Sequence, residues 1–478
     1  MMKNHIRCLL LLIASAASLS APAAQPAHTT RIEPQRNEHW WGCNADGHTP
    51  QPLAAPLDEE AGTLTDSTEF LLSSTGRYLW SAHPFTVAID DDGTFIITSD
   101  YEAVQTAKGG RTLREAYLYC VHKHIRPAVA DSKALPFPTP LYDAGTPPLS
   151  TEIPYRGTLL LPDGWQAMQN LPDSALLTVT PYVPAAGWHY ASLRRSNALL
   201  EDADGHPIIF HLPEGYFACL NIGEEAVMNA FAEQLATTLP AGKGTLLWFD
   251  SGQILFRIGN PALRKAFARN WHTLAERFGA VIRRSAYGTP TQWRPFAVSP
   301  ADLSDGTMRQ TLTRILNLGL SGCIYPFMTF TDSNGGIRDE GALLRATQLA
   351  AFLPISVIPT DTTRFADDAN RRALQRTLTL RKEMNDYVEG LLRESLTTRE
   401  PIIRLMEYQY PGQGFADCTD QFMLGPDCLV APLLDGEPQR LVRLPRGAWT
   451  AADGTKYRGP RVIRIDVSDG CMPVFFRR

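Results

Sequence analysis

Apolar and polar positions alternate along this chain in two rhythms. Up to about residue 108 the period is two. Phe85 to Ile89 and Thr94 to Thr98 alternate or are β-branched around Asp90-Asp91-Asp92-Gly93, the pattern of a β-hairpin. From Leu113 the rhythm changes. Strand-length apolar runs at Gly157 to Leu161, Ala175 to Thr180, Thr245 to Phe249 and Val281-Ile282 alternate with stretches of helical period. One such stretch covers Glu224 to Leu239. Another opens with Asn260 as cap and Pro261 in the first helical position, then places Leu263, Phe267, Trp271 and Leu274 three and four residues apart. Gly306 to Leu318 reads as a third helix and Asp367 to Ser395 as a single long one. Repeated β-then-α units predict an α/β fold with a parallel sheet, open or closed into a barrel. After about residue 400 period two returns in Leu441 to Leu444, Trp449, the turn Asp453-Gly454 and Val462 to Ile465. The expected outline is a β-sandwich over residues 24–108, an α/β body over 109–400 and a second β-sandwich over 401–478.

At 478 residues the chain is too long for one hydrophobic core, which agrees with several domains. The first residues form a separate object. Lys3 and Arg7, the apolar run Leu9 to Ala17 and the small residues Ala21-Pro22-Ala23 predict a secretory signal over residues 1–23. That run is far shorter than the roughly 20 residues a membrane span needs, so no span is expected. Removing Lys3 and Arg7 moves the net charge from −5 to −7, and neither value suits a polyanion, so nucleic acid is not an expected partner. Seven cysteines follow Cys8, an odd number without C-x-x-C spacing. The separation of Cys418 and Cys428 suits a hairpin disulfide in an exported protein, the other reading being buried free thiols.

In parallel α/β folds ligands gather where strands end, so polar residues directly after apolar runs come first. Asp250 follows Leu246-Leu247-Trp248-Phe249 and precedes Ser251-Gly252. Asp163 follows Leu160-Leu161-Pro162 and precedes Gly164-Trp165. An Asp beside a Trp can hold a sugar, the ring stacking while the carboxylate accepts hydroxyl protons; either Asp can equally cap a turn or helix. His122 and His124 sit in a helical pattern, which argues against shared metal ligation. Gly319-Leu320-Ser321-Gly322 lacks the nucleophile-elbow pattern and reads as a loop. Trp40, Trp41, Trp248 and Trp293, taken singly, read as core aromatics more readily than as sugar platforms.

Longer strings carry a resemblance. Glu400-Pro401-Ile402-Ile403-Arg404, Glu407 to Gly414, Asp420 to Asp427 and Val430-Ala431-Pro432 resemble the junction of barrel and C-terminal sandwich in family-31 glycoside hydrolases. Trp40-Trp41-Gly42, Asp46-Gly47-His48, Leu71 to Ser74, Gly76-Arg77-Tyr78 and Trp80-Ser81 are similar to that family's entry sandwich. Leu113-Arg114-Glu115-Ala116-Tyr117 is similar to the barrel opening of its α-galactosidase and myogenesis-regulating-glycosidase branch. The resemblance implies a (β/α)8 TIM barrel, shortened between Trp165 and Leu176, flanked by two β-sandwiches. It implies an exported retaining α-glycosidase acting on an oligosaccharide or glycoside without metal or organic cofactor. Asp250 matches the family nucleophile. Asp302 is placed as acid/base, with Asp305 as second choice; retention needs the two carboxylates about 5 to 5.5 Å apart. Asp163, Trp165, Trp248, Arg284 and Asp332 are assigned to the sugar. Three departures stand out: Pro162 where the family has Asp, Gln253 where an acid is common, and Trp293 to Phe296, which ends in Phe when set against the family's Trp-x-Gly-Asp. They keep open a second function, a non-catalytic carbohydrate-binding relative.

Overall fold

The computed structural model describes residues 28–42, 51–55, 70–81, 85–99, 102–124, 141–143, 155–159, 175–202, 204–212, 215–238, 246–250, 254, 258–278, 281–283, 296–298, 303–323, 326–328, 339–354, 357–359, 365 and 367–478. The chain forms two compact units, one of residues 1–26 and 150–289, the other of residues 27–149 and 290–478. The division falls inside the span expected to be one α/β body.

The second unit begins with two antiparallel sheets. His28–Ile32, Phe95–Ser99 and Thr86–Ile89 form one; Trp40–Gly42, Phe70–Ser73, Arg77–Trp80 and Gln105–Lys108 form the other. Both sheets contribute to one core, with Ile32, Trp40, Leu71, Leu79, Val87 and Ile97 among its buried residues. The expected hairpin is present, Val87 pairing with Ile97 and Ile89 with Phe95. Asp90 closes it, its carboxylate accepting from the Thr94 amide at 2.9 Å.

The same unit holds two parallel strand pairs, Phe296–Val298 with Pro326–Met328 and Val357–Pro359 with Leu141–Asp143. Helices Leu113–His124, Asp305–Leu320 and Glu340–Ala351 belong to it too. The expected long helix is instead two, Asp368–Glu383 and Asn385–Thr398, broken at Met384 (φ −88°, ψ 1°). Asn385 and Asp386 favour a helix start over a helix interior, and Met384 and Val388 are both buried at the break. Apolar periodicity persists across the break, which hid it. Gly319 and Leu320, expected in a loop, close helix Asp305–Leu320, and Ser321 caps it. A Cβ on Gly319 would lie 2.8 Å from the Ile403 carbonyl, so glycine is what lets this helix approach strand Ile403–Arg404.

The C-terminal sheet runs Ile403–Arg404, Phe422–Leu424, Cys428–Val430, Val474–Arg477, Gln439–Ala451, Lys456–Asp466. A short helix, Met406–Gln409, interrupts the expected all-β segment. Cys418 and Cys428 are free and buried. Hairpin register sets Leu424, not Cys418, opposite Cys428, and a disulfide needs the two Cβ atoms about 3.5–4.5 Å apart.

The first unit is built on four parallel strands in the order Tyr155–Leu159, Ala175–Val179, Leu246–Asp250, Val281–Arg283. Between the second and third, a three-stranded antiparallel sheet, Tyr182–Pro184, Gly215–Cys219 and Ile209–Leu212, is inserted. Helices Glu225–Thr238 and Pro261–Arg277 return the chain to the parallel strands, and the second is capped as expected: Asn260 Oδ1 accepts from the amides of Ala262 and Leu263 at 2.9 and 3.1 Å.

Candidate active site

Leu246–Asp250 occupies an inner position of the parallel run, between Ala175–Val179 and Val281–Arg283. A strand covered on both faces reads as a continuous apolar run, as Leu246 to Phe249 does. Leu247 and Phe249 are buried among Phe231, Phe267 and Trp271, the rings of Phe249 and Trp271 lying 4.9 Å apart. Trp248 and Asp250 are the alternate positions. Asp250 is the last residue of the strand and registers against Arg283, the last residue of its neighbour. It therefore stands at the carboxyl edge of the parallel strands, where this class of fold binds its ligands. Arg284 is the next residue of the chain after Arg283 and, like Asp163, Trp165, Asp302 and Asp332, lies outside the described residues.

The reading of Phe296 is corrected. Phe296 is the first residue of its strand and pairs with Pro326, the first of the parallel neighbour. It stands at the amino edge, opposite in sense to where a catalytic acid is needed. The strand ends at Val298, and Ser304 caps the next helix by accepting from the Thr307 amide. The string that follows the carboxyl edge in sequence is Ser299-Pro300-Ala301-Asp302. Reading the strand from its apolar triplet Phe296-Ala297-Val298, rather than from Trp293, would have found this. Asp305, the second choice, starts helix Asp305–Leu320 with its carboxylate exposed, accepting from Arg345 Nη2 at 3.2 Å.

The strings that carried the resemblance at the two ends of the α/β body meet around one buried carboxylate. Glu400 Oε1 accepts from Arg114 Nε at 2.8 Å and from Arg114 Nη2, while Oε2 accepts from the Tyr408 hydroxyl at 2.7 Å. Arg404 Nη1 lies 4.0 Å from Glu400 and donates to Gln409 Oε1 at 2.8 Å. Tyr117 donates to the Arg399 carbonyl at 3.1 Å and packs edge-on against Tyr408. Burial pushes both tyrosine hydroxyls well above their ordinary range, so both stay protonated donors. The buried carboxylate and both tyrosine hydroxyls are engaged by protein, which makes the cluster a framework that ties helix Leu113–His124 to the C-terminal sheet. Glu407, next to it, is a buried carboxyl pushed up by burial although the Gly412 amide donates to it at 3.1 Å.

His122 and His124 lie on a helix as expected, and His124 stacks on Trp80 with ring centroids 4.1 Å apart. Asp202, Asp204 and His206 come within metal-ligand distance of one another. All three are exposed, and Asp202 Oδ1 is already committed to a turn, accepting from the amides of Asp204 and His206. Among the described residues no helix is long and apolar enough to cross a membrane.

Residues 399–478 match the family model described as the glycosyl hydrolase family 31 C-terminal domain. Over 335 residues the chain is 24% identical to a sulfoquinovosidase of Agrobacterium fabrum, covering 63% of this chain and 50% of that protein. It is 28% identical to an α-glucosidase of Saccharolobus solfataricus over 115 residues, 24% of this chain and 16% of that one. The chain thus spans half or less of the length of these curated relatives. Among solved structures it is similar to a family-31 sulfoquinovosidase from E. rectale (TM-score 0.71, 15% identity, 95% of this chain and 82% of that one). It is also similar to a family-31 α-xylosidase from a soil metagenome (TM-score 0.73, 17% identity, 95% and 81%). At these identities the structural likeness establishes the fold.

Proposed function

We propose that this chain is an exported, retaining α-glycoside hydrolase of family 31 that removes terminal α-linked sugars from oligosaccharides or glycosides. The observation that carries the reading is the place of Asp250, last residue of an inner parallel strand in the string Trp248-Phe249-Asp250-Ser251-Gly252, on a fold shared with family-31 enzymes. The C-terminal family match and the glycosidase relatives also support it. The short parallel strands support a barrel as the body that presents Asp250, and the signal pattern of residues 1–23 supports export.

In this reading Asp250 attacks the anomeric carbon and forms the glycosyl-enzyme. Asp302 first protonates the leaving oxygen and then takes a proton from water. The end of strand Phe296–Val298 supports that choice, since Asp302 follows the carboxyl edge by four residues in sequence and precedes the cap Ser304 by two. Ser299-Pro300-Ala301-Asp302 then keeps the acid of the family string and loses its Trp and Gly. Arg284, one residue beyond the strand that pairs with Leu246–Asp250, belongs to the sugar pocket with Asp163, Trp165, Trp248 and Asp332.

A panel of chromogenic α-glucoside, α-galactoside, α-xyloside and α-sulfoquinovoside substrates tests this. Turnover on at least one is expected, abolished in Asp250→Asn and reduced in Asp302→Asn most strongly for poor leaving groups, where protonation matters most. Pro162 and Gln253 favour the second reading, a carbohydrate-binding relative without turnover. Sugar binding by the parent with no hydrolysis of any glycoside would establish that one and refute the first.

A further inference from the structure

The C-terminal hairpin concentrates positive charge on a chain that is negative overall. Between Gln439 and Arg478 nine Lys and Arg stand against three Asp, while the whole chain carries −5. Strand Lys456–Asp466 is the last in its sheet and alternates in burial except at Arg461, an odd position that is also exposed. Its odd positions include Ile463, buried, with Tyr457 and Ile465 packed against the core. Its even positions, Lys456, Arg458, Pro460, Val462, Arg464 and Asp466, are all exposed. At a rise of about 3.4 Å per residue the row from Lys456 to Arg464 is about 27 Å long.

The cations of this row differ from three basic residues nearby. Arg440 is paired with Asp420 at 2.7 Å, Arg443 with Asp417 at 2.8 Å and Arg376 with Asp469 at 3.1 Å. Among the described residues, Lys456, Arg458 and Arg464 enter no ion pair and no side-chain hydrogen bond. The same face carries an aliphatic shelf: Val462 is 61% exposed, and Leu441, which registers opposite Arg464, is 50% exposed. The aromatic side chains of the hairpin, Trp449 and Tyr457, turn to the opposite, core side.

We propose that this outward face binds an anionic polysaccharide, its carboxylate or sulfate groups pairing with Lys456, Arg458 and Arg464 while Leu441 and Val462 support the apolar faces of sugar rings. Separated guanidiniums along an extended, flat row suit a polymer that presents one anion per repeat, and Arg pairs such groups through directed hydrogen bonds. Single-stranded nucleic acid binding relies on exposed aromatic platforms, which this face lacks. The surface does not depend on turnover at Asp250.

Affinity electrophoresis of the full chain through gels containing polygalacturonate, dextran sulfate or neutral dextran tests the proposal. The comparison is between the parent, the triple variant K456Q/R458Q/R464Q and the charge-matched control R194Q/R195Q/R277Q, each checked for an unchanged melting temperature. The expected result is retardation of parent and control by at least one anionic polymer, weakened by added salt and absent with neutral dextran. The triple variant should bind roughly tenfold or more weakly, three charge-assisted contacts being lost. The choice between polygalacturonate and dextran sulfate identifies the anion. Equal retardation of parent and triple variant would overturn the proposal. So would no retardation by either anionic polymer, or equally tight binding to phosphatidylglycerol vesicles or duplex DNA. If the triple variant instead differs only in self-association, the cations merely guard the sheet edge, a common use of charge on edge strands, and the proposal is wrong.

Discussion

Removing the carboxylate of Glu400 should destabilise the C-terminal body far more than removing either of the groups that donate to it. The reason is unequal exposure. The Glu400 side chain is 4% exposed and that of Arg404 is 4%, whereas the Arg114 side chain is 51% exposed. Arg114→Ala exchanges a half-solvated ion pair for water and leaves Glu400 bonded to Tyr408, so about 1 kcal/mol or less is expected. Tyr408→Phe removes one buried hydrogen bond to a charged acceptor, 2.7 Å long, which is worth about 1.5–3 kcal/mol. Glu400→Ala leaves the Tyr408 hydroxyl without its acceptor, ends the Arg114 pair and leaves buried Arg404 only the half-exposed Glu394 at 3.9 Å as counter-charge, a loss of about 3–4 kcal/mol. Hydrogen exchange read by mass spectrometry on peptides covering Ile403–Arg404 and Phe422–Leu424 measures the opening free energy of this body directly. The expected order of cost is Glu400→Ala, then Tyr408→Phe, then Arg114→Ala. A loss for Arg114→Ala as large as for Glu400→Ala would refute the argument from exposure, as would a neutral Tyr408→Phe.

Glu407 supplies a pH test. Burial raises its folded pKa above the unfolded value, so the native state binds the extra proton. The resulting stability is full below the unfolded pKa and is lost as pH rises through the folded pKa. Glu407→Gln should therefore melt higher than the parent at pH 7 and equal to it at low pH; a difference independent of pH would contradict this. Burial pushes the Cys418 thiol up to about 12, and Cys428 is raised by the same cause. Neither thiol should react with Ellman's reagent in the native protein, both should react after denaturation without reductant, and a disulfide in the peptide map would disprove the assignment. Gly425 has φ +63°, and a Cβ there would clash with Leu391 and meet the Tyr387 hydroxyl at 2.8 Å. Gly425→Ala should cost about 1–3 kcal/mol in denaturant melts, and an unchanged midpoint would show that helix Asn385–Thr398 yields.

What the sequence determined by itself was local in origin. The Asp90 to Gly93 turn, the Asn260 cap with Pro261, and strands of four or five apolar residues ending in a polar one are set by backbone conformation and side-chain period, and these are written within a few residues. Asp250 was legible for that reason, because a carboxylate directly after a buried strand stands out in any parallel fold. The break at Met384 was not, since apolar spacing continues through it. Nor was the state of Cys418 and Cys428, buried free thiols where spacing alone also allowed a disulfide. The tertiary structure alone decided that Phe296 begins its strand, because the pairing of Phe296 with Pro326 places it at the amino edge. It alone brought Arg114, Tyr408 and Arg404 to Glu400, from segments nearly 290 residues apart in the case of Arg114. Residues that distant share no local period, and only the closing of helix Leu113–His124 onto the C-terminal sheet makes them neighbours.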